Sequence, residues 1–132
     1  MTTRQLLSTR AVLGGALTAL ITAAMGLIGA LAIGGLLDWT KGAKTLIATI
    51  FAIAGFTLGG FRAGLLQPPA PLSNGAASAV LAYVPLGVVQ RLAAGTGIRV
   101  LSLAFATFLA ASFGVFGAIV ANNANRQRRG GS

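Results

Sequence analysis

The 132-residue chain has no cysteine, no histidine and one acidic residue, Asp38, so glutamate is absent as well. Without cysteine there is no disulfide, no thiolate nucleophile, no thiol-ligated metal and no palmitoylation site. Without histidine or glutamate, general acid-base catalysis would have to run through a single aspartate, and the serine and threonine hydroxyls have no base to activate them. The expectation is a protein that is not an enzyme and that holds no cofactor and no metal. The same absence weighs against proton-coupled antiport, because no ionisable residue lies inside any of the long apolar runs.

Charge is also scarce. Only 8% of residues are charged while 55% are hydrophobic, a balance that cannot cover a water-soluble fold with polar surface. What is there instead is four apolar runs. Residues 11–37, "AVLGGALTALITAAMGLIGALAIGGLL", carry no charge and as a helix would be about 40 Å long, more than a bilayer core of about 30 Å requires. Residues 45–61 form a shorter run between Lys44 and Arg62, whose flanking cations can snorkel to the headgroups. Residues 76–90 form the third, in which Pro85 removes one backbone donor, and the helix built on it is expected over about 74–92. Residues 100–121 form the fourth, with a basic tail at 122–132. The expected fold is an all-α integral membrane protein of four transmembrane helices, arranged as two antiparallel hairpins in a single membrane domain. Arg4 and Arg10 before the first run and "ALA" at 30–32 resemble a cleavable leader. The uncharged stretch is much longer than a leader's apolar core, so an uncleaved helix is expected.

All ten remaining charges are Lys or Arg. They occur singly or as the short tail Arg126, Arg128 and Arg129, with no basic face interleaved with aromatics, so nucleic acid is not an expected partner. Anionic lipid headgroups are. Six basic residues fall at the amino terminus (Arg4, Arg10), the second connection (Arg62) and the tail. Four fall in the first connection (Lys41, Lys44) and the third (Arg91, Arg99). The positive-inside rule therefore puts both termini in the cytoplasm.

Helices in lipid associate through close van der Waals approach, which favours small residues at four-residue spacing. The first helix offers Gly14, Thr18, Thr22, Gly26, Ala30 and Gly34. The second offers Gly55 and Gly59, then Gly60 and Gly64. The fourth offers Ala106, Ala110, Gly114 and Ala118, with Phe105, Phe108, Phe113 and Phe116 expected on the opposite, lipid-facing side. Trp39 suits the interfacial aromatic belt, and Arg62 and Arg91 suit the headgroup level, as anchors. Tyr83, Pro85 and Gln90 form the only polar or strained cluster inside a span: Tyr83 packs and Gln90 sits at the interface, or the cluster faces a cavity or partner. The segment "QPPAPLSNG" forbids helix continuation. Ser73 or Asn74 would cap the third helix, and Pro68, Pro69 and Pro71 would form a stiff loop on which a partner docks.

The stretches "GGFRAG" (Gly59, Gly60, Phe61, Ala63, Gly64) and "NGAASAVLAY" (Gly75, Ala76, Ala77, Leu81, Tyr83) resemble a YrzE-like family of small four-helix bacterial membrane proteins of unknown function. The resemblance covers the middle half of the chain. It departs at Leu65, where family members often carry a basic residue, and in the added prolines. It implies a four-span architecture and a bacterial inner-membrane location, and no catalytic residues. Small-residue faces without chemistry lead to the expectation of a non-enzymatic protein acting through helix contacts, as a homo-oligomer or as an accessory subunit of a larger membrane complex. The alternative is a small passive channel, holin-like pore or transporter.

Overall fold

Four helices make up the computed structural model, which describes residues 7–93, Gly95, Gly97 and 99–131. They are α1 (Thr9–Leu36), α2 (Lys41–Leu66), α3 (Pro71–Ala93) and α4 (Val100–Gly130). Each is long and apolar enough to cross a bilayer. Arg4, counted above with the amino-terminal charges, lies outside the described residues.

Local chemistry explains most of the boundaries. The Ser8 hydroxyl accepts from Ala11 N–H and opens α1, and the Thr40 hydroxyl accepts from Ala43 N–H and opens α2. At the end of α1, Asp38 takes φ 50°, Trp39 N–H donates back to Gly34 O at 2.8 Å and Leu37 N–H to Ile33 O at 3.0 Å. A left-handed residue there lets the last carbonyls of a helix find donors, and aspartate is among the few side chains that tolerate that conformation. Pro71 is the first residue of α3, where its missing N–H has no helical partner to lose.

Two helices run past the limits that hydropathy sets. α2 includes Lys41, Lys44 and Arg62 and continues to Leu66. α4 continues through Asn122, Arg126, Arg128 and Arg129 to Gly130, so the basic tail is helical to that residue rather than a separate segment. Charges mark where hydrocarbon ends; backbone hydrogen bonding continues beyond it. At 31 residues α4 is about 46 Å long, well over the ~30 Å of a bilayer core.

The packing is inverted relative to a water-soluble bundle. Among the described residues the buried apolar side chains are alanines and one large ring, Phe56, while Ile28, Leu101 and Phe108 are exposed. That is the arrangement expected when the surrounding solvent is as apolar as leucine. α2 and α3 each touch the other three helices, whereas α1 and α4 do not pack against each other among the described residues. Burial is also lopsided along the bundle axis. Buried positions run from Gly55 to Gly64 in α2 and from Ala110 to Ala121 in α4, with none in the first ten residues of α4. α2 and α4 are clamped together in one half and splay apart in the other, while α1 stays against α2 throughout, with buried residues from Ala11 to Gly34.

Candidate functional site: a sealed half and an apolar cavity

In the clamped half, backbone meets backbone. A Cβ on Gly59 would lie 2.6 Å from Gly15 O, and one on Gly15 would lie 2.6 Å from Gly59 O. At Gly60 an added Cβ would strike the carbonyl of Gly114, at Gly114 the carbonyl of Gly75, and at Gly117 the carbonyl of Thr57. Such approaches let Cα–H groups point at carbonyls of the next helix and exclude any side chain from the seam. Three helices thus share one glycine junction, made by Gly60, Gly75 and Gly114.

The small residues singled out in the sequence divide at this point. Gly26, Ala30, Gly34, Gly55, Gly59, Ala110, Gly114 and Ala118 are all buried. In the first half of α1, however, the buried row is Gly15, Ala19 and Ala23, with Gly14, Thr18 and Thr22 half-buried beside it. A row of every fourth residue turns by about 40° per step, so it cannot stay on one face for six steps. The structure resets it with a three-residue step from Ala23 to Gly26. In α4, Ala106 is half-buried, and Phe105, Phe108 and Phe116 face outward. Phe113 does not; it packs against the core, because it lies only about 60° around the helix from Ala110.

Most polar groups in the clamped half are engaged; Asn125 Nδ2, one turn beyond Ala121, is buried with no hydrogen-bond partner among the described residues. Asn74, fully buried, does not cap α3 from outside; it lies within the first turns of that helix. Its Oδ1 accepts from Ser8 N–H at 2.8 Å and its Nδ2 donates to Ala70 O at 2.7 Å, joining the start of α3 to the start of α1. Ser78, also buried, donates to Gly75 O at 2.9 Å. Arg62 does not mark the end of α2; it lies one turn before it, and its Nη1 donates to the Thr18 hydroxyl at 2.9 Å. Thr18, Thr22, Thr45, Thr49, Thr57 and Thr107 each donate to the carbonyl four residues back. Such threonines offer no continuous polar stripe to a permeating ion.

The splayed half encloses a cavity of about 530 Å³, open along one side. Its walls include Leu27 and Leu31 of α1, Ala52 and Phe56 of α2, and Leu109 and Phe113 of α4. Its polar lining is Lys44, Thr45, Thr49, Tyr83 and Gln90, and the two threonine hydroxyls are already bonded to their own helix. Two members of the Tyr83, Pro85 and Gln90 cluster therefore line a cavity, while Pro85 is exposed on α3. Tyr83 is held there by an edge-to-face contact with Phe56, ring centroids 5.9 Å apart. None of the three junction glycines lines the cavity.

Near the mouth, Trp39 lies over Gly34 beside the Lys44 stem. Arg91 is tied to α4, its Nη2 donating to Ser102 Oγ at 2.9 Å and its Nη1 to Arg99 O at 3.4 Å. Between α2 and α3, Pro68 and Pro69 are exposed, but Pro71 belongs to α3 and is half-buried. Sequence patterns alone missed Gly15, Gly117, Ser78 and the cross-helix role of Asn74. Only the "SNG" signal touched any of them, and it pointed to a local cap.

Among known proteins, no family model, no curated protein and no solved structure matches this chain.

Proposed function

We propose that the chain is a non-enzymatic multi-pass protein of a bacterial inner membrane, with its four spans in two antiparallel hairpins and both termini cytoplasmic. It acts through helix contacts, as a homo-oligomer or as an accessory subunit of a larger membrane complex, with anionic headgroups meeting its basic flanks. The observation that carries this is how the chain's few chemistry-bearing groups are used. Asp38 terminates α1, Arg62 is bonded to Thr18, and the threonine hydroxyls back-bond to their helices. What faces outward is leucine, isoleucine, valine and phenylalanine.

Contacts at the two ends support the hairpins. Ser8 meets Asn74, Gly14 meets Leu66 and Gly64 meets Ala121 in one region, while Gly34 meets Lys44 far along α1. The glycine junction disfavours the channel alternative for a single chain, since it leaves no path past Gly60 and Gly114. A pore would have to form between copies.

Purification in mild detergent is expected to yield a defined oligomer or a stoichiometric membrane partner, and the protein in liposomes is expected to pass no ions or small solutes. Solute flux by the purified protein, with no oligomer or partner, would overturn the proposal. Replacing the exposed Pro68 and Pro69 with Gly and Ser is expected to release a partner while leaving helix content unchanged. Sidedness has its own test, made simple by the absence of cysteine. Single cysteines at Thr40 and Gly131 are expected to react with an impermeant thiol reagent from opposite faces of the membrane, and labelling of both from one face would exclude the four-span topology.

A further inference from the structure

We propose that the cavity in the splayed half holds one hydrocarbon chain of an anionic membrane lipid, with the head-group oxygens against Lys44. Its volume of about 530 Å³ falls within the range of small-ligand sites, and its walls are apolar apart from the few groups named above. A dry gap of this size between helices sacrifices dispersion contacts on every wall, and in a bilayer the nearest filler is a lipid chain entering through the open side.

The polar groups are gathered where such a lipid would need them. Lys44 lies in the first turn of α2 and Gln90 in the last turns of α3, both at the mouth, whereas Phe56, Leu109 and Phe113 lie deeper. Trp39, a residue type that favours the headgroup level, sits beside Lys44. The cavity is therefore amphipathic along its length, charged at the head-group end and apolar inside.

Lys44 is also held in place. A Cβ on Gly34 would lie 3.0 Å from both Cγ and Cε of Lys44, so the lysine stem rests on bare backbone that any other residue would cover. The stem's freedom, which an ordinary surface lysine retains, is restricted before any ligand arrives. Among the described residues its ammonium has no hydrogen bond or ion pair, and the chain's one acid, Asp38, does not reach it. Lys44 is the one cation among the residues lining this apolar cavity, and such a site selects an anion attached to a hydrocarbon chain. A zwitterionic head brings its own cation to compete with the lysine.

The proposal rests on the membrane-embedded reading of the chain but not on the oligomer or subunit role, since a partner can be found with the cavity empty, and the reverse. The test is native mass spectrometry of the purified full chain after incubation with phosphatidylglycerol vesicles, phosphatidylcholine vesicles, or glycerol 3-phosphate alone. The expected result is one phosphatidylglycerol retained per chain, several-fold less phosphatidylcholine, and no retained glycerol 3-phosphate. Lys44→Gln keeps the stem as far as Cδ and removes the charge, and is expected to lower phosphatidylglycerol retention about five-fold. Ala48→Phe fills the cavity from α2 and is expected to lower retention of both lipids. Should Ala48→Phe not fold, Lys44→Gln still decides. Equal retention of the two lipids, retention unchanged in Lys44→Gln, or binding of glycerol 3-phosphate as tight as that of the lipid would each overturn the proposal.

Discussion

Replacing Gly114 by leucine is expected to lower the thermal unfolding midpoint in detergent by about 10 °C. The added side chain has nowhere to go: its Cβ alone meets the Gly75 carbonyl and lies 2.7 Å from Ala79 Cβ. Both obstacles are fixed, one of them backbone, so α3 and α4 must separate. Overpacking of this kind costs about 3 kcal/mol, and a chain of this size loses roughly 3 °C of midpoint for each kcal/mol. The control is internal to the molecule. Gly29 and Gly35 lie in α1 with no atom within 4 Å of an added Cβ, so leucine at either position is expected to leave the midpoint unchanged or raise it slightly, because glycine is the weaker helix former. If Gly114→Leu and Gly29→Leu behaved alike, the glycines would reflect composition and not contact.

The second large effect is expected at Asn74. Truncation to alanine removes the acceptor for the half-buried Ser8 N–H and the side-chain donor to Ala70 O, which keeps the backbone N–H of Asn74. Losing these bonds at a fully buried side chain costs about 2 kcal/mol, more than most single substitutions on a lipid-facing surface. Asn74→Asp separates the two bonds. An aspartate keeps an oxygen for Ser8 N–H but, when ionised, turns a second oxygen toward the Ala70 carbonyl where a donor is needed. Thermal melts of both variants check this: each midpoint should fall by several degrees, and the aspartate variant, which keeps an acceptor for Ser8 N–H but loses the donor to Ala70 O, separates the two contributions. Midpoints equal to that of the parent chain would show that Asn74 does not make these two bonds.

Hydropathy made the four helices legible because uncharged apolar runs of 15 or more residues, closed by charged residues, have few other uses. It underestimated α2 and α4 for a physical reason: transfer from water to lipid stops at Lys44 and Ala121, but the α-helical hydrogen-bond ladder does not. Composition also made the kind of contact legible, small residues in the seams, without giving its register in α1. A four-residue row drifts around the helix, and only the partner helix determines where the three-residue reset from Ala23 to Gly26 falls. Phe113 illustrates the same limit, since its side was assigned from the clustering of phenylalanines while its burial depends on the position of Ala110 relative to α2 and α3. Asn74 was visible only as a turn residue, because its partner Ser8 is 66 positions away. The cavity was legible only as one of two readings of Tyr83, Pro85 and Gln90, and its walls were not, as they depend on where helices diverge, and no periodicity within one helix records that.

The length of α4 has a mechanical consequence. Asn122, Ala124 and Asn125 are still half-buried, and the helix continues exposed from Arg126 to Gly130, so about 8 Å of rod projects past the packed bundle. Arg126 and Arg129 lie on nearly the same side of that rod and Arg128 on another. They are carried on a lever whose fulcrum is the glycine junction, so a rotation of α4 about its own axis at Gly114 and Gly117 sweeps the arginines through the same angle.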